Sequence, residues 1–153
     1  MNKNSPSDIV ESLVGKAKEA QNIFEKYNQK QVDEVVTAVA WALCKPSTNE
    51  LISNLAVNST GLGDVEDKIL KNRRKTLGLL RDLKGVKTVG VINEFKEKGI
   101  IEIAKPVGVV GAITPSTNPA ATPVNNVINA LKGRNSIIVS PSPAGSKVFK
   151  QLL

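Results

Sequence analysis

Two short apolar runs without alternation, Val107–Ile113 and Ser136–Ser140, flank a segment of helical spacing, and this pattern restricts the fold more than any other. Strands with one wet face alternate apolar and polar residues, whereas strands covered on both faces do not, so both runs suit a parallel sheet. Between them, Pro119–Leu131 sets Val124, Val127, Ile128 and Leu131 on one side and closes at Lys132-Gly133. Strand, helix and strand in that order predict a right-handed β-α-β crossover. The charge-free run Pro106–Leu131 is long enough to span a bilayer, but Pro115, Pro119, Pro123 and the asparagines at 118, 125, 126 and 129 break it, so no membrane span is expected.

Upstream, the periodicity is helical. Ile9, Val10, Leu13, Val14, Ala17, Ala20, Phe24 and Tyr27 recur at three and four after the start signal Ser5-Pro6 and Asp8. Asn28 with Gln31 opens a second helix, which carries Val32, Val35, Val36, Val39, Ala40 and Leu43 as far as Lys45-Pro46. Ser47 with Glu50 is read as the start of a third, closed by Ser59–Gly63, and Asp64 with Asp67 as the start of a fourth that ends at Gly85. After Gly85 the β-branched runs Val86–Ile92 and Ile100–Ile103 predict two strands joined by a charged turn, Asn93–Gly99. A last helix begins after Gly145, and the chain stops within it at Leu153, so the sheet is expected to be unfinished.

The 153 residues suffice for one core, and 41% hydrophobic with 23% charged residues is ordinary globular usage. Histidine is absent, which excludes Ser-His-Asp and Cys-His catalysis and imidazole-built zinc sites; no metal site is expected. The one cysteine, Cys44, has no base or electropositive setting in its neighbourhood and reads as a buried inert thiol. Met1–Asp8 has no apolar signal stretch, and a cytoplasmic protein is expected. Net charge is +7, and no acidic residue follows Glu102, so Lys105, Lys132, Arg134, Lys147 and Lys150 stand unopposed. Such a field suits a phosphate-bearing ligand, and equally serves solubility. The cations Lys68, Lys71, Arg73, Arg74, Lys75, Arg81, Lys84 and Lys87 raise a nucleic-acid reading, but interleaved acids and few aromatics favour a solvated helix face.

Two loops carry the candidate site. Thr114-Pro115-Ser116-Thr117-Asn118-Pro119 follows the first strand and precedes a helix, at the carboxyl end where ligands gather in open parallel sheets. Asn118 before Pro119 also reads as a plain helix cap. Ser140-Pro141-Ser142-Pro143 follows the second strand and faces the same crevice, or forms only a rigid turn. Gly108 and Gly111 do not make a G-x-G-x-x-G fingerprint.

The residues AKPVGVVGAITPSTNP (104–119), LKGRNSII (131–138), SPSP (140–143), GLG (61–63) and VEDKILKN (65–72) resemble the coenzyme A-acylating branch of the aldehyde dehydrogenase superfamily, and within it the sulfoacetaldehyde dehydrogenases. The resemblance implies an α/β architecture in three parts: helices over 1–85, a strand pair over 86–105 of the kind relatives use near subunit contacts, and over 106–153 a truncated, Rossmann-like NAD(P)-binding start. It implies a small aldehyde as substrate, NAD or NADP as cofactor, coenzyme A as acyl acceptor, and a homo-oligomer at full length. Asn118 matches the asparagine whose side-chain N–H stabilises the oxyanion, an interaction of about 3 kcal/mol in comparable sites. Ile113, Thr114, Pro115 and Ser116 match the lining of the cofactor cleft, and Ser140, Pro141 and Ser142 the loop near the adenosine ribose. The family's nucleophilic cysteine has no match here, and since losing a nucleophile costs about a millionfold, the chain alone is expected to be inactive. A non-catalytic protein docking on a full-length relative through its open sheet edge is the alternative expectation.

Overall fold

The computed structural model describes residues 5–153; residues 1–4, which open the segment read for a signal sequence, lie outside them. The chain runs through α1 (Pro6–Phe24), α2 (Gln29–Cys44), α3 (Pro46–Thr60) and α4 (Val65–Leu83). It continues through β1 (Gly90–Phe95), a 3-10 turn (Lys96–Lys98), β2 (Ile100–Ala104), β3 (Val109–Thr114), α5 (Ala121–Lys132), β4 (Ser136–Pro141) and α6 (Ser146–Leu152).

Both α1 and α2 begin with complete capping boxes, Ser5 with Asp8 and Asn28 with Gln31, in which each side chain satisfies the other residue's backbone N–H. Asp64 caps α4 by accepting from the Asp67 N–H at 2.9 Å. Two expected caps do not form. Ser47 lies inside α3, because Pro46 takes the first turn and Lys45 serves as the boundary residue of both α2 and α3. Asn118 does not cap α5, because Pro119 and Ala120 turn first and the helix starts at Ala121 behind Ala120.

β1 and β2 pair antiparallel with a bulge between Val91 and Asn93, so that Asn93–Phe95, expected as turn, is strand. Val86–Val89, expected as strand, is irregular: the Val86 N–H bonds the Leu83 carbonyl and the Thr88 N–H bonds Gln29 Oε1 at 2.8 Å. β3 and β4 pair parallel in the register Val109↔Ser136 through Thr114↔Pro141, as predicted. Val110, Ala112 and Thr114 share the more buried face, on which α5 packs, while Gly111 and Ile113 between them are exposed. The other face is open only toward the rim, where Ile113 is 89% exposed and Gly111 and Ser140 are exposed; at its start Ser136 is buried and Ile138 shares a groove with Leu13, Ala17 and Phe24 of α1. The expected cover on both faces is therefore found at the start of the two strands, beside α1, and not at their carboxyl ends.

The core joins Val32, Val36, Ala40 and Leu43 of α2, Ile52 and Ala56 of α3, Val124 and Ile128 of α5, and Val148 of α6. The fully buried positions of α4 are polar, Lys68, Asn72 and Thr76, one turn apart, while its Leu79, Leu80 and Leu83 pack partly buried against the core. Asn72 Nδ2 donates to Asn49 Oδ1 at 3.0 Å and to Ser53 Oγ at 3.2 Å, and Asn49 Nδ2 donates to the Ile69 carbonyl at 2.9 Å. No described helix is long and apolar enough to cross a membrane.

Candidate functional site at the carboxyl rim of the parallel pair

The register that aligns Ile113 with Ser140 and Thr114 with Pro141 brings both predicted loops to one rim. The Ser142 N–H donates to the Thr114 carbonyl at 3.0 Å, extending the ladder by one bond. A Cβ at Gly145 would stand 3.0 Å from Pro119 Cβ, so glycine lets the second loop close against the first. Ser142 Oγ accepts from the Gly145 N–H at 3.1 Å, the bond of a local turn.

Each sequence-predicted residue has a place on this rim. Ile113 and Ser140 are exposed neighbours on the open face; Pro115 is exposed; Ser116, Asn118, Pro141 and Ser142 are half-buried. Thr114 is buried at 3% exposure, on the α5 face, and its Oγ1 has no hydrogen-bond partner. Because α5 needs no cap from Asn118, that carboxamide is free of the structural role that would account for it.

Polar residues to which the sequence reading gave no such role hold the far end of the strands. Gln21 of α1 is buried; its Nε2 donates to the Arg134 carbonyl at 2.8 Å and its Oε1 accepts from the Ser136 N–H at 2.6 Å. Asn135 Oδ1 accepts from the Val107 and Gly108 N–H groups at 2.7 and 3.1 Å. Arg134 adopts φ 58°, and its guanidinium donates to the carbonyls of Glu25 and Ala104. Lys132, buried, bonds Asp33 at 2.6 Å. Only a polar residue within an apolar helix stripe, as Gln21 is between Ala20 and Phe24, hints at such a role in sequence.

Cys44 is buried on α2, and burial pushes its thiol above the ordinary range while Arg73 pulls it back in part. Among the described residues no cluster of three His, Cys, Asp or Glu side chains forms a metal site.

A parallel β-α-β unit with two touching loops at the carboxyl rim defines the α/β class whose ligands lie in that crevice. The chain belongs to the aldehyde dehydrogenase family, whose model matches residues 3–152. It is 55% identical over 147 residues to the sulfoacetaldehyde dehydrogenase (acylating) of Cupriavidus necator, covering 96% of this chain and 30% of that protein. An acetylating aldehyde dehydrogenase from Geobacillus thermoglucosidasius superposes with TM-score 0.89 at 39% identity, over 94% of this chain and 31% of the other. An engineered glycolyl-CoA reductase with bound NADP+ superposes with TM-score 0.78 at 30% identity, over 93% and 32%. The chain thus spans about a third of the length of these relatives.

Proposed function

We propose that the chain supplies the amino-terminal part of an NAD(P)-dependent acylating aldehyde dehydrogenase, which converts an aldehyde and coenzyme A to an acyl-coenzyme A. The register that gathers Ile113, Thr114, Pro115, Ser116, Asn118, Ser140, Pro141 and Ser142 on one rim carries this reading. The similarity to a sulfoacetaldehyde dehydrogenase supports a sulfonated aldehyde as substrate.

The rim fits a nicotinamide cofactor: exposed Ile113 beside Ser140 offers an apolar platform next to a hydroxyl. When bound, the cofactor accepts hydride. Ile113, Pro115 and Ser116 would line its cleft, Ser140, Pro141 and Ser142 would flank its ribose, and Asn118 would donate a side-chain N–H to the oxyanion that develops from the aldehyde oxygen. The thiol nucleophile comes from elsewhere, because Cys44 is buried and burial raises its pKa. The 153-residue chain therefore binds but does not turn over.

Assay with sulfoacetaldehyde, coenzyme A and NAD or NADP tests this. No turnover is expected from the chain alone, with turnover appearing when a polypeptide carrying the rest of the relative's length is co-expressed and reduced again in Asn118→Ala. Turnover by the chain alone, or full activity of the Asn118→Ala complex, overturns the proposal.

A further inference from the structure

The antiparallel strand pair stands out from the body of the molecule. From Val91 to Ile103 every residue except Ile92 is exposed, and among the described residues no helix or other strand packs closely against β1 or β2. A two-stranded sheet with no third element against it is marginal in water, and no core of its own holds it in one direction. Its direction is therefore set where the chain enters and leaves it, at Thr88 and Val89 before β1 and at Ala104 at the end of β2. Val89 packs partly buried against the core, but a single apolar contact fixes a point and not a direction.

Both ends are bonded back to one short turn, the link between α5 and β4. At the entry, the Thr88 N–H donates to Gln29 Oε1 at 2.8 Å, and Gln29 Nε2 donates to Thr88 Oγ1 at 3.3 Å and to Asp33 Oδ1 at 3.0 Å. The buried Lys132 ammonium closes on the same Asp33 oxygen at 2.6 Å. At the exit, Arg134 Nη2 donates to the Ala104 carbonyl at 3.2 Å, while its Nη1 donates to the Glu25 carbonyl at the end of α1 at 2.7 Å. Bonds with an ionised partner are about twice as strong as neutral ones, and the planar guanidinium fork holds its two acceptors at a fixed angle. The turn itself is tied down. The Arg134 carbonyl accepts from Gln21, and Asn135 Oδ1 accepts from the Val107 and Gly108 N–H groups ahead of β3.

We infer that Lys132 and Arg134 are positioning residues: from the turn between α5 and β4 they hold both ends of the exposed strand pair, and so fix its direction relative to the parallel pair and its carboxyl rim. Two attachments at separate places resist the hinge motion that one would allow. The turn that aims the strand pair is also the one that starts β4, so the pair and the rim share an anchor. None of this depends on the proposed reaction, and the test needs no substrate.

The experiment measures residual dipolar couplings and backbone amide relaxation on the 153-residue chain. In the wild type, the amides of β1 and β2 fit the alignment frame of β3, β4 and α5, with order parameters near the rigid value of about 0.85. Gln29→Met frees the entry and Arg134→Met the exit. In the double variant the order parameters of the strand pair fall below about 0.6 and its couplings leave the core frame, while cross-strand contacts between Val91 and Ile103 persist. Gln29→Met alone gives a smaller drop and leaves the turn untouched, so it stays readable if Arg134→Met fails to fold. Lys132→Met behaves as Gln29→Met, and Lys132→Arg, which keeps the ion pair with Asp33, behaves as wild type. A role in stability alone lowers the urea midpoint and leaves the direction of the strand pair unchanged in every folded variant. That result overturns the inference, as does a wild-type strand pair whose couplings do not fit the core frame.

Discussion

Replacing Gln21 with leucine removes the two bonds that tie α1 to the entry of β4, at 2.8 Å to the Arg134 carbonyl and 2.6 Å from the Ser136 N–H. Leucine is close in volume, so packing changes little and the loss is polar. Ser136 is buried, so its N–H is left dry rather than handed to water. An ordinary bond contributes about 1 kcal/mol, but a buried group left unpaired costs about 1–3 kcal/mol, and two such groups give about 2–6 kcal/mol. Urea unfolding is the assay. With a slope of about 2 kcal/mol/M, the midpoint drops by about 1–3 M at unchanged slope. Hydrogen exchange adds a local reading: the Ser136 amide loses protection first, and Ser140 and Pro141 at the other end of the same strand lose their fixed register with β3. Gln21→Glu separates the two bonds, since a carboxylate still accepts from Ser136 but repels the Arg134 carbonyl. A Gln21→Leu midpoint within experimental error of wild type refutes the reasoning.

Asn118→Ala leaves stability within about 0.5 kcal/mol, below the ~1 kcal/mol of a lost cap, because Asn118 makes no cap bond to α5; a larger drop in the urea midpoint counts against the observed helix start. The Asp64 carboxyl is held below its ordinary range by the backbone bond from Asp67. Its contribution is therefore present above the unfolded pKa, about 4, and lost as pH falls through the lower folded value, so Asp64→Asn flattens the acid limb of stability against pH. Cys44 reacts slowly with a disulfide reagent at pH 8 in the folded chain and rapidly in urea; equal rates contradict its burial.

Local chemistry made the helix starts at Ser5, Asn28 and Asp64 legible, because each cap bonds a residue three positions on. The parallel pair was legible for a similar reason: its apolar runs and the helix between them lie within one crossover. Where two local signals competed, the sequence misled. Ser47 lost to Pro46, and Asn118 lost to the Pro119-Ala120 turn. Gln21, Asn49 and Asn72 were illegible because a polar side chain on a helix reads as solvated until its partner, twenty or more residues away, is known. The same holds for the site. The sequence sets the residues around Asn118 and Ser140 after two strands, but only the register shows these segments meeting, and only burial reveals the Thr114 hydroxyl as unsatisfied.

The clasp between α1 and β4 joins residues 115 positions apart. At cellular synthesis rates of about 5–20 residues per second, α1 leaves the ribosome roughly 6–23 s before Ser136 exists to meet it. During that interval its apolar stripe has no seat, and nascent-chain chaperones are the natural occupants. Codon choice between these two segments thus sets how long the newborn helix waits.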